Sequence, residues 1–286
     1  MLFSAPTLQE SSKEANVTNP TADKSALTDE LRRIAIRAGA AIMDHYHAGV
    51  EVVRKDDNSP VTAADHDAEA IILDGLRRIA PEIPVVSEEA AAAGHIPAFG
   101  HRFFLVDPLD GTKEFISKNG EFTVNIALIE DRLPVAGIVY APAKERMFFA
   151  YGPGEAYEQK IAASHDATEV GDRMHRIAAR KPAPDGLVVI ASRTHRDQKT
   201  DEYLNLYNVK EFRAAGSSLK FCLIAAGEAD LYPRHGRTME WDTAAGHAVL
   251  AAAGGSVTQL DGTPLIYGKV ERGLDNPFFV ARGAAA

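Results

Sequence analysis

The sequence predicts an α+β fold, and three observations lead to that prediction. Two early segments have apolar residues at helical spacing. A series of short apolar runs separated by turns then indicates an antiparallel meander of strands. The second half mixes further strands with an Ala-rich helix, and such mixtures around a meander are typical of α+β layering.

The first predicted elements are two helices that follow a polar segment. Residues 1–25 are rich in Ser, Thr, Asn, Glu and Lys without sustained periodicity, which predicts a flexible extension. Helical periodicity begins at Ser25. A second helix is predicted over 62–79, where Thr62 and Asp65 have the spacing of a capping box.

The remaining elements are predicted from apolar runs and from the turn residues between them. A buried strand is predicted over 102–106, ending at Asp107. The polar stretch 158–185 predicts a subdomain junction, and we expect subdomains over 26–160 and 161–286. The other predicted strands are 122–129, 133–140, 146–151, 187–191, 229–232, 256–260 and 278–281, and the other predicted helices are 197–207, 217–226 and 243–253.

Composition and charge exclude several classes of partner. The chain has 286 residues, 45% hydrophobic and 25% charged, with 31 basic and 40 acidic side chains and a formal charge of -9. An acidic protein is a poor general partner for a nucleic acid polymer or an anionic membrane. The sequence has neither a transmembrane apolar run nor a secretory n-region. The single cysteine, Cys222, excludes an intrachain disulfide and fits a reducing compartment.

The strongest local motif is DPLDGT, residues 107–112, at the end of the predicted buried strand. Its turn can direct Asp107 and Asp110 toward one point and leave the Leu109 carbonyl available, and these hard oxygen ligands suit Mg²⁺. Gly111 and Thr112 can present backbone N–H groups to an anion. A polar surface turn explains the motif about equally well when it is taken alone.

Two further acidic positions have competing structural explanations. Glu88 and Glu89 follow a short apolar run, where a solvated pair at a strand end is the commoner case. Asp242 precedes the Ala-rich helix, where helix capping alone would explain it. Asp65 can likewise serve in the capping box, in catalysis, or in both.

Four motifs together resemble the inositol monophosphatase superfamily. They are VTAAD (61–65), SEE (87–89), DPLDGT (107–112) and WDTAAG (241–246), in that family's order, and the resemblance covers residues 28–281. The segments KEF (113–115), AGSSLKFC (215–222) and ADLYPR (229–234) resemble its bacterial 3'(2'),5'-bisphosphate nucleotidases. Inositol monophosphatases usually carry Asn where this chain has Glu114.

The resemblance implies a layered α/β/α/β/α sandwich with the site between its two parts. It also implies two or three Mg²⁺ ions per site. Glu88, Asp107 and the Leu109 carbonyl are expected to hold one ion. Asp107, Asp110 and Asp242 are expected to hold the second, so that Asp107 bridges the two.

The resemblance assigns further residues to catalysis and to substrate binding. Asp65, Thr112 and Glu88 are the expected catalytic residues, with Thr112 and Asp65 orienting a water and accepting its proton. Ordinary surface charge is the competing explanation for Lys220 and Arg234. The expected substrate-binding residues are Gly111, Thr112, Lys113, His195, Ser217, Lys220, Arg234 and Asp242.

The implied activity is removal of the 3'-phosphate from adenosine 3',5'-bisphosphate, giving AMP, within sulfur assimilation. 3'-Phosphoadenylyl sulfate is a second expected substrate, and inhibition by Li⁺ is expected. The resemblance further implies a cytoplasmic monomer or homodimer, with peripheral association with the inner membrane. An inositol or sugar monophosphatase is the nearest alternative, and a non-catalytic sensor of nucleotide and metal is a more distant one.

Overall fold

A computed structural model describes residues 24–49, 52–54, 60–167, 174–191 and 198–285. It confirms the α+β class. The α-helices are α1 (Lys24–Ala48), α2 (Ala63–Ile79), α3 (Glu88–Ala92), α4 (Thr112–Ile116), α5 (Gln198–Leu204), α6 (Leu219–Ala225) and α7 (Ala244–Ala252).

The larger sheet has seven strands in the order in which they occur along the chain. All its neighbouring pairs are antiparallel except the first, β3 with β4, which is parallel. The strands are β3 (Val85–Ser87), β4 (Arg102–Asp110), β5 (Thr123–Glu130), β6 (Leu133–Ala141), β7 (Arg146–Gly152), β8 (Glu155–Lys160) and β9 (Met174–Arg176). A separate two-stranded ribbon pairs β1 (Val52–Arg54) with β2 (Pro60–Thr62).

The smaller sheet has five strands in the order β11-β10-β12-β14-β13. Strand β14 therefore lies between β12 and β13, and it is antiparallel to both. The strands are β10 (Leu187–Ala191), β11 (Val209–Ala214), β12 (Leu231–Arg234), β13 (Ser256–Gln259) and β14 (Phe279–Arg282).

Three apolar clusters hold five layers together, as the family resemblance implies. One face of the larger sheet packs on α1 and α2, with Phe104 and Ile126 in the shared core. The opposite face packs on α6 and α7, which also contact the smaller sheet, with Val249 buried between the two sheets. Leu204 of α5 covers the outer face of the smaller sheet. The layer order is α/β/α/β/α.

The meander is longer than the sequence predicts. The glycines and proline at 152–154 join β7 to β8 in a hairpin, whereas the sequence pattern suggests that the meander stops there. Strand β9 is the seventh strand of the larger sheet although it lies after residue 160, where the expected first subdomain ends. Helix α1 begins at Lys24, and residues 1–23 lie outside the described residues.

Within the described ranges, no helix combines the length and the apolar character that a membrane span requires.

Candidate active site

A β-bulge in β4 directs two aspartates into one cavity. Residues three apart on a regular strand point to opposite faces, yet Asp107 and Asp110 both line a cavity of about 280 Å³. Asp107 pairs with Asn125 of β5, whereas Asp110 pairs with Thr123, so that β4 has one extra residue between them. The predicted strand end at Asp107 is wrong, because the bulge lets the strand continue to Asp110.

The parallel pairing of β3 with β4 places a third acid beside Asp107. Ser87, the last residue of β3, pairs with Val106 of β4. Glu88 follows Ser87 and Asp107 follows Val106, so these two acids lie side by side. Glu88 begins α3 and lines the cavity, while Glu89 is 7% exposed. The solvated-pair interpretation of these glutamates is wrong.

Asp242 completes a cluster of three carboxylates. Ligand oxygens of Glu88, Asp107 and Asp242 all lie within 4.8 Å of one another. The sequence suggests that Asp242 caps α7, but Thr243 occupies the N-cap position. The Asp242 carboxylate instead accepts a hydrogen bond from the Met239 N–H at 2.9 Å, which holds it over the cavity.

Burial and mutual repulsion make these carboxylates hard to ionise together. Burial raises the pKa of Asp107 well above its usual range, and Glu88, Asp110 and Asp242 raise it further. Burial also raises the pKa of Asp242 well above its usual range, with added repulsion from Asp110 and Glu88. A bound divalent cation would remove this repulsion.

Asp110 is held by two residues that the sequence analysis missed. Its Oδ2 accepts hydrogen bonds from the Ser218 N–H at 2.7 Å and the Asn125 side-chain amide at 3.3 Å. The Ser218 hydroxyl also lies 2.7 Å from the Asp242 carbonyl oxygen, so that Ser218 joins Asp110 to the Asp242 segment. Asn125 is a polar residue within an otherwise apolar strand, and this contrast could have identified it as a site residue. Burial raises the pKa of Asp110, while Lys220, Asn125 and Ser218 act in the opposite direction.

Asp65 forms the capping box that the sequence predicted, and it also contacts Thr112. Its Oδ2 accepts the Thr62 backbone N–H at 2.8 Å and the Thr62 hydroxyl at 2.7 Å. The Thr62 hydroxyl oxygen in turn accepts the backbone N–H groups of Ala64 and Asp65, and the second of these bonds completes the capping box of α2. The other Asp65 oxygen accepts the Thr112 hydroxyl at 3.3 Å. Helix capping thereby fixes the carboxylate that faces Thr112.

Two basic side chains, Lys220 and Arg234, also line the cavity, and we call this part of its lining the basic end. Lys220 is 7% exposed, and its Nζ contacts the Ala215 carbonyl oxygen at 3.4 Å without an ion pair to any described carboxylate. Burial lowers the pKa of Lys220 to about 8. Arg234 lies on the same lining, where its Nε and Nη2 donate to the carbonyl oxygens of Gly236 and Arg237.

The other expected substrate-binding residues surround the motif at 107–112. Gly111 has a φ of 94°, and Lys113 is exposed at the cavity rim. The Ser217 hydroxyl lies 2.9 Å from the Asp110 carbonyl oxygen and 2.5 Å from that of Glu121, so it also braces the motif. His195 lies outside the described residues.

The side chains present fit magnesium or a similar divalent cation. Glu88, Asp107, Asp110 and Asp242 all line the cavity and offer hard carboxylate oxygens. Leu109 lines it too, and its N–H donates to Asp107 Oδ1 at 3.0 Å. No described cysteine or histidine lines the cavity, which disfavours softer metals.

Comparison with known proteins decides the family. A family model described as the inositol monophosphatase family matches residues 23–279. The chain belongs to the inositol monophosphatase family. Members of this family are metal-dependent phosphatases, and the clustered carboxylates agree with that chemistry.

Relatives within the inositol monophosphatase family match nearly the whole chain. The 3'(2'),5'-bisphosphate nucleotidase CysQ of Shigella flexneri is 47% identical over 257 residues, which cover 89% of this chain and 99% of that protein. CysQ of Escherichia coli strain K12 is 46% identical over 257 residues, with the same coverage of 89% and 99%. The crystal structure of CysQ from Bacteroides thetaiotaomicron has a TM-score of 0.71 and 36% identity, covering 94% of this chain and 99% of that one.

Proposed function

We propose that the chain is a Mg²⁺-dependent nucleotidase that converts adenosine 3',5'-bisphosphate to AMP. One observation carries the substrate: the cavity has a carboxylate cluster suited to metal ions, the acidic end, and a basic end whose buried Lys220 ammonium forms no ion pair with a described carboxylate. Burial lowers the pKa of this ammonium to about 8 although the charges of Asp110, Glu114 and Glu121 act in the opposite direction, so an anion from outside the chain would stabilise it further. A substrate with two phosphates supplies one for each end. The similarity to CysQ nucleotidases supports the same choice.

The proposed metal ligands follow the geometry of the acidic end. Glu88, Asp107 and the Leu109 carbonyl would hold one Mg²⁺, and Asp107, Asp110 and Asp242 a second, with three ions as the upper count. Bound ions would lower the pKa of a water molecule and stabilise charge on the leaving oxygen.

Asp65 and Thr112 would direct the attacking water. The Thr112 hydroxyl donates to Asp65, which leaves the lone pairs of the Thr112 oxygen directed away from that carboxylate. This oxygen can accept a hydrogen bond from a water in the cavity, and the contact gives the water's proton a route to Asp65. Glu88, half-buried beside Asp107, is the second proposed proton acceptor.

The basic end would hold the phosphate that is not cleaved. Lys220 and Arg234 are the proposed partners of that group, because an ammonium and a guanidinium form charge-assisted hydrogen bonds to phosphate oxygens. Gly111, Thr112 and Lys113 would contact the phosphate that is cleaved. Ser217 would contribute at the boundary between the two.

The test is to incubate purified protein with adenosine 3',5'-bisphosphate in Mg²⁺ or in EDTA and to measure AMP and phosphate. Asp107→Asn should abolish Mg²⁺-dependent AMP formation, while Asp74→Asn on the exposed face of α2 should leave it unchanged. A strong preference for inositol 1-phosphate would overturn the nucleotide assignment. Nucleotide binding without turnover of any ester would favour the sensor instead.

The same proposal includes three further points: a role in sulfur assimilation, 3'-phosphoadenylyl sulfate as a second substrate, and a cytoplasmic homodimer. The described residues give no support to peripheral association with the inner membrane, and that expectation is not part of the proposal.

A further inference from the structure

Tyr232 has an unusually fixed ring on the wall of the basic end. It belongs to β12, two residues before Arg234, so that both side chains leave the strand on the same face. Both line the cavity. The ring is 3% exposed and makes T-shaped contacts with Phe221 and Phe279, with centroids 5.4 and 5.7 Å away. These contacts hold the direction of the hydroxyl.

The hydroxyl of Tyr232 has no hydrogen-bond partner among the described residues. A buried tyrosine normally pairs its hydroxyl, because leaving it unpaired loses the hydrogen bond it had to water. Tyr232 lines the same cavity as Arg234, Asp110 and Asp242, and the charges of these three residues act on its hydroxyl. Burial raises the pKa of Tyr232 to about 12, so the group is a hydrogen-bond donor at neutral pH.

Three donors therefore converge at the basic end. The Lys220 ammonium lies 5.5 Å from the centroid of the Tyr232 ring, and the Arg234 guanidinium lies along the same strand face. Arg234 uses Nε and Nη2 for backbone carbonyls, and its Nη1 is not engaged by them. An ammonium, a guanidinium and a phenol suit a phosphate oxygen cluster, which accepts several charge-assisted hydrogen bonds.

We infer that the Tyr232 hydroxyl donates a hydrogen bond to the uncleaved phosphate and helps the enzyme to distinguish bisphosphates from monophosphates. The inference rests on the proposed function. Since the hydroxyl is pre-positioned by Phe221 and Phe279, little side-chain freedom is lost when the phosphate binds. A substrate without the second phosphate makes no use of this contact.

The test compares Tyr232→Phe with wild type on adenosine 3',5'-bisphosphate and on 3'-AMP, which lacks the 5'-phosphate. The substitution keeps the ring packing and removes the donor alone. We expect kcat/KM for the bisphosphate to fall about tenfold to 100-fold and that for 3'-AMP to stay unchanged. Calorimetry in Mg²⁺ should show the same loss of affinity for AMP, which carries the uncleaved phosphate, with none for adenosine.

Tyr157→Phe is the matched control. Tyr157 of β8 stacks on Phe149 in the other apolar core, and its hydroxyl also lacks a described hydrogen-bond partner. That variant should match wild type on both substrates. An equal loss on both substrates for Tyr232→Phe, or no loss on either, would overturn the inference while leaving the nucleotidase proposal standing. If wild type itself fails to cleave the bisphosphate, the proposed function falls and the inference falls with it.

Discussion

Asp107 lies at the centre of the acidic end of the cavity. It is 2% exposed, so burial raises its pKa, and the charges of Glu88, Asp110, Asp242 and Asp65 raise that pKa further. Without metal, these charges oppose folding, because buried like charges repel one another at low dielectric. The Asp107 carboxylate, which is central to the proposed chemistry, therefore lowers the stability of the metal-free protein.

Asp107→Asn should make the metal-free protein more stable and the Mg²⁺-loaded protein less so. Removing one buried charge should raise the free energy of unfolding in EDTA by roughly 1–3 kcal/mol. The same change should remove most of the stabilisation that Mg²⁺ gives to wild type. Thermal unfolding of both proteins in EDTA and in Mg²⁺ measures this, with exposed Asp74→Asn as the control. A variant less stable than wild type in EDTA would contradict the repulsion argument.

Thr112 offers a separate test of the water-directing pair. Thr112→Val keeps the shape of the side chain but removes the hydroxyl that donates to Asp65. We expect kcat to fall about 10²- to 10⁴-fold, because the contact that orients the water and accepts its proton is lost. Thr112→Ser should keep most of the activity, and thermal unfolding should show that both variants stay folded. Equal activity of the Val and Ser variants would exclude a role for the hydroxyl.

The sequence identified the acids of the site better than it identified the groups that hold them. Glu88, Asp107, Asp110 and Asp242 were all named from motifs, and all line the cavity. Their ligand roles stay predictions. The sequence does not predict the role of Ser218, because a serine hydroxyl that joins Asp110 to the Asp242 segment has no spacing signature.

At the scale of elements, α7 lies unusually close to the larger sheet. A Cβ on Gly137 of β6 would come within 2.6 Å of the Ala245 carbonyl oxygen and 2.7 Å of Ala248 Cβ. Helix α7 follows directly after Asp242 and Thr243. The close contact between α7 and β6 therefore fixes the position of Asp242 relative to the larger sheet. The glycine is required by packing and not by its backbone angles.

Gly137→Ala should destabilise the protein by about 1–3 kcal/mol, because α7 must move away from β6 to admit the methyl group. Urea denaturation measures the loss. Gly100→Ala is the matched control, since a Cβ there meets no atom within 4 Å. Similar stability losses for the two variants would show that α7 can adapt without cost. We also expect weaker Mg²⁺ binding in Gly137→Ala alone, as Asp242 would shift with the helix.

His247 of α7 makes the stability of this element depend on pH. It is 7% exposed, its Nδ1 lies 3.0 Å from the Tyr267 hydroxyl, and burial lowers its pKa from 6.5 to about 4. Below pH 6.5 the unfolded chain gains a proton that the folded chain does not, so stability falls as the pH drops toward 4. His247→Gln should reduce this dependence by up to about 1.4 kcal/mol per pH unit. Urea denaturation from pH 7 to pH 4 measures the free energy of unfolding of wild type and of His247→Gln. The same pH dependence in both proteins would contradict the role assigned to His247.

The sequence predicted long elements and missed short ones for physical reasons. Helices α3 and α4 have five residues each, too few for a periodic signal, and both begin at a proposed site residue. The bulge in β4 breaks the alternation from which a strand is recognised, so the predicted strand stopped at Asp107. Strand β11 is exposed along nearly all its length, and its polar composition resembles a loop.

At the scale of the whole molecule, the cavity draws its residues from both sheets and from the helices between them. Asp107 and Asp110 come from the larger sheet, Tyr232 and Arg234 from the smaller one. Periodicity predicted mixed layers but not their order, because the order depends on contacts between distant parts of the chain. The family resemblance supplied that order, and the structure confirms it.

The Mg²⁺ dependence of global stability should report the number of bound ions. Each ion that binds the folded chain alone adds about 1.4 kcal/mol to the free energy of unfolding per tenfold rise in free Mg²⁺ above its dissociation constant. Two ions predict a slope near 2.7 kcal/mol per decade and three a slope near 4. Urea denaturation across a Mg²⁺ series at constant ionic strength measures it. A slope near 1.4 would contradict a two-metal site.

The central position of β14 has a consequence for synthesis on the ribosome. Along the described chain β14 is the last strand, yet Tyr232 and Arg234 of β12 pair directly with its Ala281 and Phe279. The larger sheet has all its strands by Arg176 and can assemble while translation continues. The smaller sheet must wait with β12 and β13 unjoined until β14 has left the exit tunnel. A nascent chain stalled before Phe279 should therefore contain a folded first sheet and no working cavity.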